Sequence, residues 1–175
     1  MNLAAAAILL MQQAPAGSVD WDKEFGVEER VRDPATGEFP VEPYEQRESN
    51  AGAKSFKGDK LVTSFGGRSG IKAIAERTVE LSEVDPRISA IFVSHDTVRL
   101  KRTLFEQFCF LLGGGCEYSG RDMAEAHKGM GLRVSDLNAL VENLQQAMRE
   151  RDVPFAAQNR LLSKLAPMSK DVIAR

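Results

Sequence analysis

The chain has 175 residues, room for one domain with an appendage and too few for two full-sized domains. A 43% hydrophobic and 27% charged composition excludes a collagen-like or wholly disordered chain, and a formal net charge of -2 lacks the basic excess of a nucleic-acid binder. Two cysteines and two histidines exclude a disulfide scaffold, a four-thiolate zinc site and a multi-histidine centre, so any metal chemistry must need very few protein ligands.

Residues 1–16 open with the apolar run LAAAAILLM, too short for a stable membrane span, which takes about 20 residues. Ala14-Pro15-Ala16 has the small-x-small form of a signal-peptidase site, yet no Lys or Arg precedes the run. Two readings stand: a cleaved export signal with a periplasmic product, or a loose leader on a cytoplasmic one.

Residues 17–60 change texture. Asp33-Pro34-Ala35-Thr36-Gly37 is turn chemistry, and Phe39-Pro40-Val41-Glu42-Pro43-Tyr44 is extended chemistry. The expectation is an extended, mostly non-helical arm. It orders where Trp21, Phe25, Phe39 or Tyr44 finds a groove on the main domain.

Residues 61–175 show helical periodicity with glycine punctuation. Ile71, Ile74, Ala75, Thr78 and Val79 share one face of a helix that Asp85-Pro86 ends. Asp96 is placed to cap the next, whose stripe is Leu100, Leu104, Phe108, Leu111 and Leu112, and Gly113-Gly114-Gly115 stops it. A short helix around Met123 to Lys128 follows. Ser135 is the expected cap of a long helix bearing Leu137, Leu140, Val141, Leu144, Ala147 and Met148, and Pro154 opens the last helix. With no sustained two-residue alternation, the fold class is all-α.

Several segments of this region carry a resemblance. They are Phe65-Gly66-Gly67-Arg68-Ser69-Gly70, Val84-Asp85-Pro86-Arg87-Ile88-Ser89-Ala90-Ile91-Phe92, Leu112-Gly113-Gly114, Tyr118-Ser119-Gly120-Arg121-Asp122-Met123, His127-Lys128-Gly129-Met130-Gly131-Leu132 and Leu165-Ala166-Pro167-Met168. In order and spacing the stretch resembles the truncated haemoglobins, most closely their group I. The resemblance implies a truncated two-over-two helical globin sandwich holding one haem b and reversibly binding a diatomic gas, O2, CO or NO. It implies His127 as the proximal iron ligand. A lone histidine is otherwise more often structural, but one strong protein ligand is what haem iron needs. Ligation through Nε2 leaves Nδ1–H to donate to a backbone carbonyl.

Phe92, Leu100, Leu104, Phe108, Met123, Leu132, Leu137 and Leu140 would line the porphyrin, although the same stripe would serve as an ordinary helical core. Arg99, Lys101 and Arg102 fall near the implied propionate edge, or on a plain solvated face. The distal positions where many group I members carry Tyr and Gln fall here on Val79 and Leu104, with Leu100 between them, and none of these side chains donates a hydrogen bond. The expectation is an apolar pocket with weak oxygen retention, in which only Thr78 or Gln107 could swing in to donate.

His95 reads as a surface or propionate-edge residue. Cys109 and Cys116 are close enough in sequence for a bridge, with buried free thiols the expected state. Reversible gas binding ranks above NO dioxygenase-like chemistry, because no distal acid–base group is evident. A haem-free helical sensor is the remaining alternative. A reductase or other electron donor is the expected protein partner.

Overall fold

The computed structural model describes residues 31–173, so the leader 1–16 and the anchors Trp21 and Phe25 lie outside the described residues. Among the described residues there is no strand, and no helix is long and apolar enough to cross a membrane. The longer helices are α1 (Lys60–Ser64), α2 (Gly67–Val84), α3 (Ser89–Phe92), α4 (Thr97–Leu112), α5 (Met123–His127), α6 (Val134–Arg149), α7 (Phe155–Leu165) and α8 (Ser169–Val172). Two 3-10 turns, Glu48–Ala51 and Ala166–Met168, complete the set.

Helix α2 is the hub. Its buried face, Ile71, Ile74, Ala75, Thr78, Val79 and Ser82, packs on both α4 and α6. Burial of each large aliphatic side chain here contributes about 1.5–3 kcal/mol. The two buried hydroxyls bond within the helix, Thr78 to the Ile74 carbonyl at 2.7 Å and Ser82 to the Thr78 carbonyl at 2.8 Å. Asn143 of α6 donates to Ser82 Oγ and to Asp85 Oδ2, both at 3.2 Å, so the α2–α6 seam has a polar clasp as well as apolar packing.

Helix ends follow the expected chemistry with two exceptions: Pro154 stands as the cap before α7 and not as its first residue, with α8 following, and the start of α6 also differs. Asp85 is extended at the end of α2, as the following proline requires. Asp96 caps α4 and Asp122 caps α5, the latter accepting from the Glu125 N–H at 2.9 Å. Ser135 does not cap α6. The cap is Arg133, whose N–H donates to Asp136 Oδ2 at 2.9 Å, because a carboxylate at the third helical position reaches back better than a hydroxyl already inside the turn.

Cys109 and Cys116 are joined in a disulfide, which corrects the expectation of free thiols. Gly113 ends α4 in the left-handed region at φ 85°, and the Gly114 N–H turns back to the Cys109 carbonyl at 2.8 Å. That reversal brings the two Cα atoms to 5.6 Å, within bridging range.

Residues 32–173 belong to one compact unit that includes the described arm. The described arm runs mostly extended over the helices, with a turn at residues 34–36 and the 3-10 turn Glu48–Ala51 in it. Phe39 lies under the Arg32 guanidinium, and the Tyr44 hydroxyl donates to the Ser119 carbonyl at 2.7 Å. The Phe56 N–H donates to the Leu111 carbonyl at 2.8 Å, and Arg160 and Lys164 of α7 both sit over the Phe56 ring.

Replacing Cys116 with serine is expected to lower stability by about 2 kcal/mol, the loop-entropy value for so short a closure. Urea denaturation of the oxidised wild type against Cys116→Ser measures it.

Candidate haem site

Helix α5 is five residues long, and its position matters more than its intrinsic stability. Its cap, Asp122, follows the buried Tyr118, whose hydroxyl donates to the Arg121 carbonyl at 2.9 Å. Burial pushes the Tyr118 phenol well above its ordinary range, so it stays a neutral donor. His127 closes the helix. Its Nδ1 lies 2.7 Å from the Met123 carbonyl oxygen, one turn back. A carbonyl can only accept, so this contact puts a proton on Nδ1, and the neutral ring that makes it keeps its lone pair on Nε2. A neutral imidazole with Nε2 available, on a half-buried ring, is the donor that haem iron takes. The residues present fit the group.

The apolar residues singled out from sequence fall into two sets. Phe108 is a member of the main core, and Leu104 and Met123 pack against it. Phe92 at the end of α3, Leu100 on α4, and Leu137 and Leu140 on α6 are half-buried and stand outside that core cluster. Leu132, in the turn between α5 and α6, is buried. Of the residues expected on the distal side, Val79 is only 1% exposed on α2, while Leu100 and Leu104 are half-buried one turn apart on α4. Neither polar neighbour points its donor toward them. Thr78 donates to the Ile74 carbonyl, and Gln107 Nε2 donates to the Ala51 carbonyl at 3.2 Å. The His95 residue is exposed.

The three basic residues of the α4 face are all engaged by protein groups. Lys101 pairs with Glu80 at 3.5 Å. Arg99 donates to the Phe39 carbonyl at 2.7 Å and pairs with Glu38 at 3.2 Å. Arg102 binds both oxygens of Glu38, and also Glu106 and Ser119. Glu38 is therefore the arm's charged anchor, with a side chain 7% exposed between two guanidiniums. The Arg102 hydrogen bond holds its carboxyl below the ordinary range against the opposing effect of burial, aided by the charges of Arg102 and Arg99. Beside it, burial would raise the Asp96 carboxyl. The Phe39 N–H, donating at 2.7 Å, and the Arg32 guanidinium outweigh that and lower it. Sequence reading missed Glu38, because nothing in its neighbourhood signals a partner more than sixty residues away.

A helical domain of this kind, with one imidazole on a short helix between glycine turns, defines a globin of the abbreviated type. The family model described as bacterial-like globin matches residues 60–174. The group 1 truncated hemoglobin of Tetrahymena pyriformis is 28% identical over 119 residues, covering 68% of this chain and 98% of that protein. That of Mycolicibacterium paratuberculosis is 25% identical over 112 residues, covering 64% and 82%. The crystal structure of the Tetrahymena pyriformis protein in its Fe(III) form superposes with a TM-score of 0.63 at 28% identity, over 66% of this chain and 98% of that one. The chain belongs to the bacterial-like globin family and has the truncated two-over-two fold. As such it is a haem protein that binds a diatomic gas.

Because the Glu38 carboxyl is depressed in the folded state, its stabilising effect is complete above its unfolded value, about pH 4.5. It declines as pH falls toward the folded value. Urea midpoints of wild type and Glu38→Gln should differ by a constant amount from pH 7 down to about pH 5 and converge below about pH 4.

Proposed function

We propose that His127 ligates the iron of haem b through Nε2, and that the gas is held in an apolar distal chamber walled by Val79, Leu100 and Leu104. The observation that supports it best is the Nδ1 contact to the Met123 carbonyl, which fixes both tautomer and ring direction. Phe92, Leu137 and Leu140, half-buried apolar side chains outside the core, supply porphyrin-compatible walls together with Phe108, Met123 and Leu132. When bound, the haem would supply an iron centre able to take a gas ligand, with His127 as its protein ligand.

On the distal side the chain offers shape and little else. Oxygen accumulates negative charge when held, and a nearby donor strengthens its retention; CO and NO gain much less. A hydrogen bond to such a charged acceptor is worth about 1.5–3 kcal/mol, and no side chain among Val79, Leu100 and Leu104 can make one. The Thr78 donor is committed to the Ile74 carbonyl, and Gln107 Nε2 is committed to the Ala51 carbonyl and to the sulfurs of Met123 and Met168. The protein therefore binds oxygen with fast release and discriminates little against CO or NO. With no acid–base side chain among Val79, Leu100 and Leu104, reversible binding is favoured over turnover. An external electron donor would keep the iron ferrous.

Absorption spectra of the ferric, ferrous and ferrous-CO forms test ligation. His127→Gly should lose the wild-type Soret band, and an unchanged band would refute the assignment. Stopped-flow mixing tests the chamber. Wild type should release oxygen rapidly, and Leu100→Gln should slow release by about 10–100-fold, the equivalent of one charge-assisted hydrogen bond.

A further inference from the structure

Gln107 is a polar side chain buried to 5% exposure on α4, and the distal chamber makes no use of it. Its Nε2 donates to the Ala51 carbonyl, the last residue of the arm's 3-10 turn, and lies 3.6 Å from Met123 Sδ and 3.7 Å from Met168 Sδ. Ala51 is fully buried. The next residue, Gly52, sits at φ 82°, and a Cβ there would stand 2.7 Å from Met168 Sδ. The turn is thus seated against both Gln107 and Met168, and only glycine permits the fit.

Both contacts lead to α5. Met123 is its first residue, and the Met123 carbonyl is the acceptor that orients His127. Met168 immediately precedes α8, the helix against which α5 packs. A five-residue helix takes its position from its neighbours, since its own hydrogen bonds cannot hold it. Here the arm supports those neighbours from two sides.

We propose that the Glu48–Ala51 turn, acting through Gln107 and Met168, sets the position of α5 and with it the orientation of the His127 ring. Gln107 is then a positioning residue for the proximal side. This rests on the reading of His127 as the iron ligand. Groups that orient a metal-binding imidazole alter the strength of the bond it makes, so the arm tunes the iron–histidine bond from outside the globin helices.

The test uses the full chain loaded with haem. Gln107→Met keeps length and removes the donor, leaving the Ala51 carbonyl without its partner. Gly52→Val disturbs the turn from the arm side and touches neither α4 nor α5. Both should keep wild-type helical circular dichroism. Both should shift or split the iron–imidazole stretching band of the ferrous form, and pass haem to an apoglobin acceptor about ten-fold faster. Two folded variants with the wild-type band and haem-loss rate would overturn the proposal. A wild type showing no imidazole band would instead remove the ligation reading beneath it. A measurement without substitutions reads the same coupling in reverse. Haem loading should slow hydrogen exchange at the Asn50 and Gly52 amides, because linkage is reciprocal. Unchanged exchange there would overturn the proposal even if a variant failed to fold.

Discussion

The structure depends on one hydrogen bond in a helix barely long enough to contain it, from His127 Nδ1 to the Met123 carbonyl. An imidazole offers a metal a lone pair in a fixed direction only if its other nitrogen is tied down. Five residues cannot supply that rigidity alone. The surroundings do so: Asp122 caps the helix, Tyr118 holds the approach through the Arg121 carbonyl, and Ser119 is fixed by Glu106 and Arg102. Much of the polar bonding on this side of the molecule converges on the few residues that lead into α5.

The same convergence explains the arm. Its carboxylate at Glu38 meets the guanidiniums of Arg99 and Arg102 on α4, and Tyr44 reaches the loop leading to α5. Exposed ion pairs contribute little; here the carboxylate is nearly withdrawn from water and held on both oxygens, while the guanidiniums stay partly exposed and partly screened. The arm is therefore integral to the globin unit, and its basic partners on α4, Arg99 and Arg102, are both paired with Glu38.

What could be read from the residues was whatever local chemistry encodes. The stop at Asp85-Pro86, the cap at Asp96 and the reversal at Gly113 are each dictated by a backbone preference within a few positions, and each is present. His127 stood out through the glycine-flanked motif around it, and its link to Met123 is the i, i−4 geometry of any helix. The Cys109–Cys116 bridge was misjudged because it depends on the path of a glycine turn, which leaves no periodic trace. The seat of Ala51 on Gln107 was invisible for a related reason. A buried glutamine on an apolar stripe announces that it needs a partner, but not which one.

Gly113 carries a consequence for where this globin truly begins. A side chain at that position would collide with the Phe56 carbonyl, only 2.6 Å away, so the end of α4 is shaped to receive the arm. The stretch that matches other globins starts at residue 60, beyond this cover. A fragment trimmed to that homologous boundary would bare the Leu111 carbonyl and strip the lid from Gln107, trading a finished surface for a sticky one. The packed unit of this chain is longer than the stretch that the family model matches.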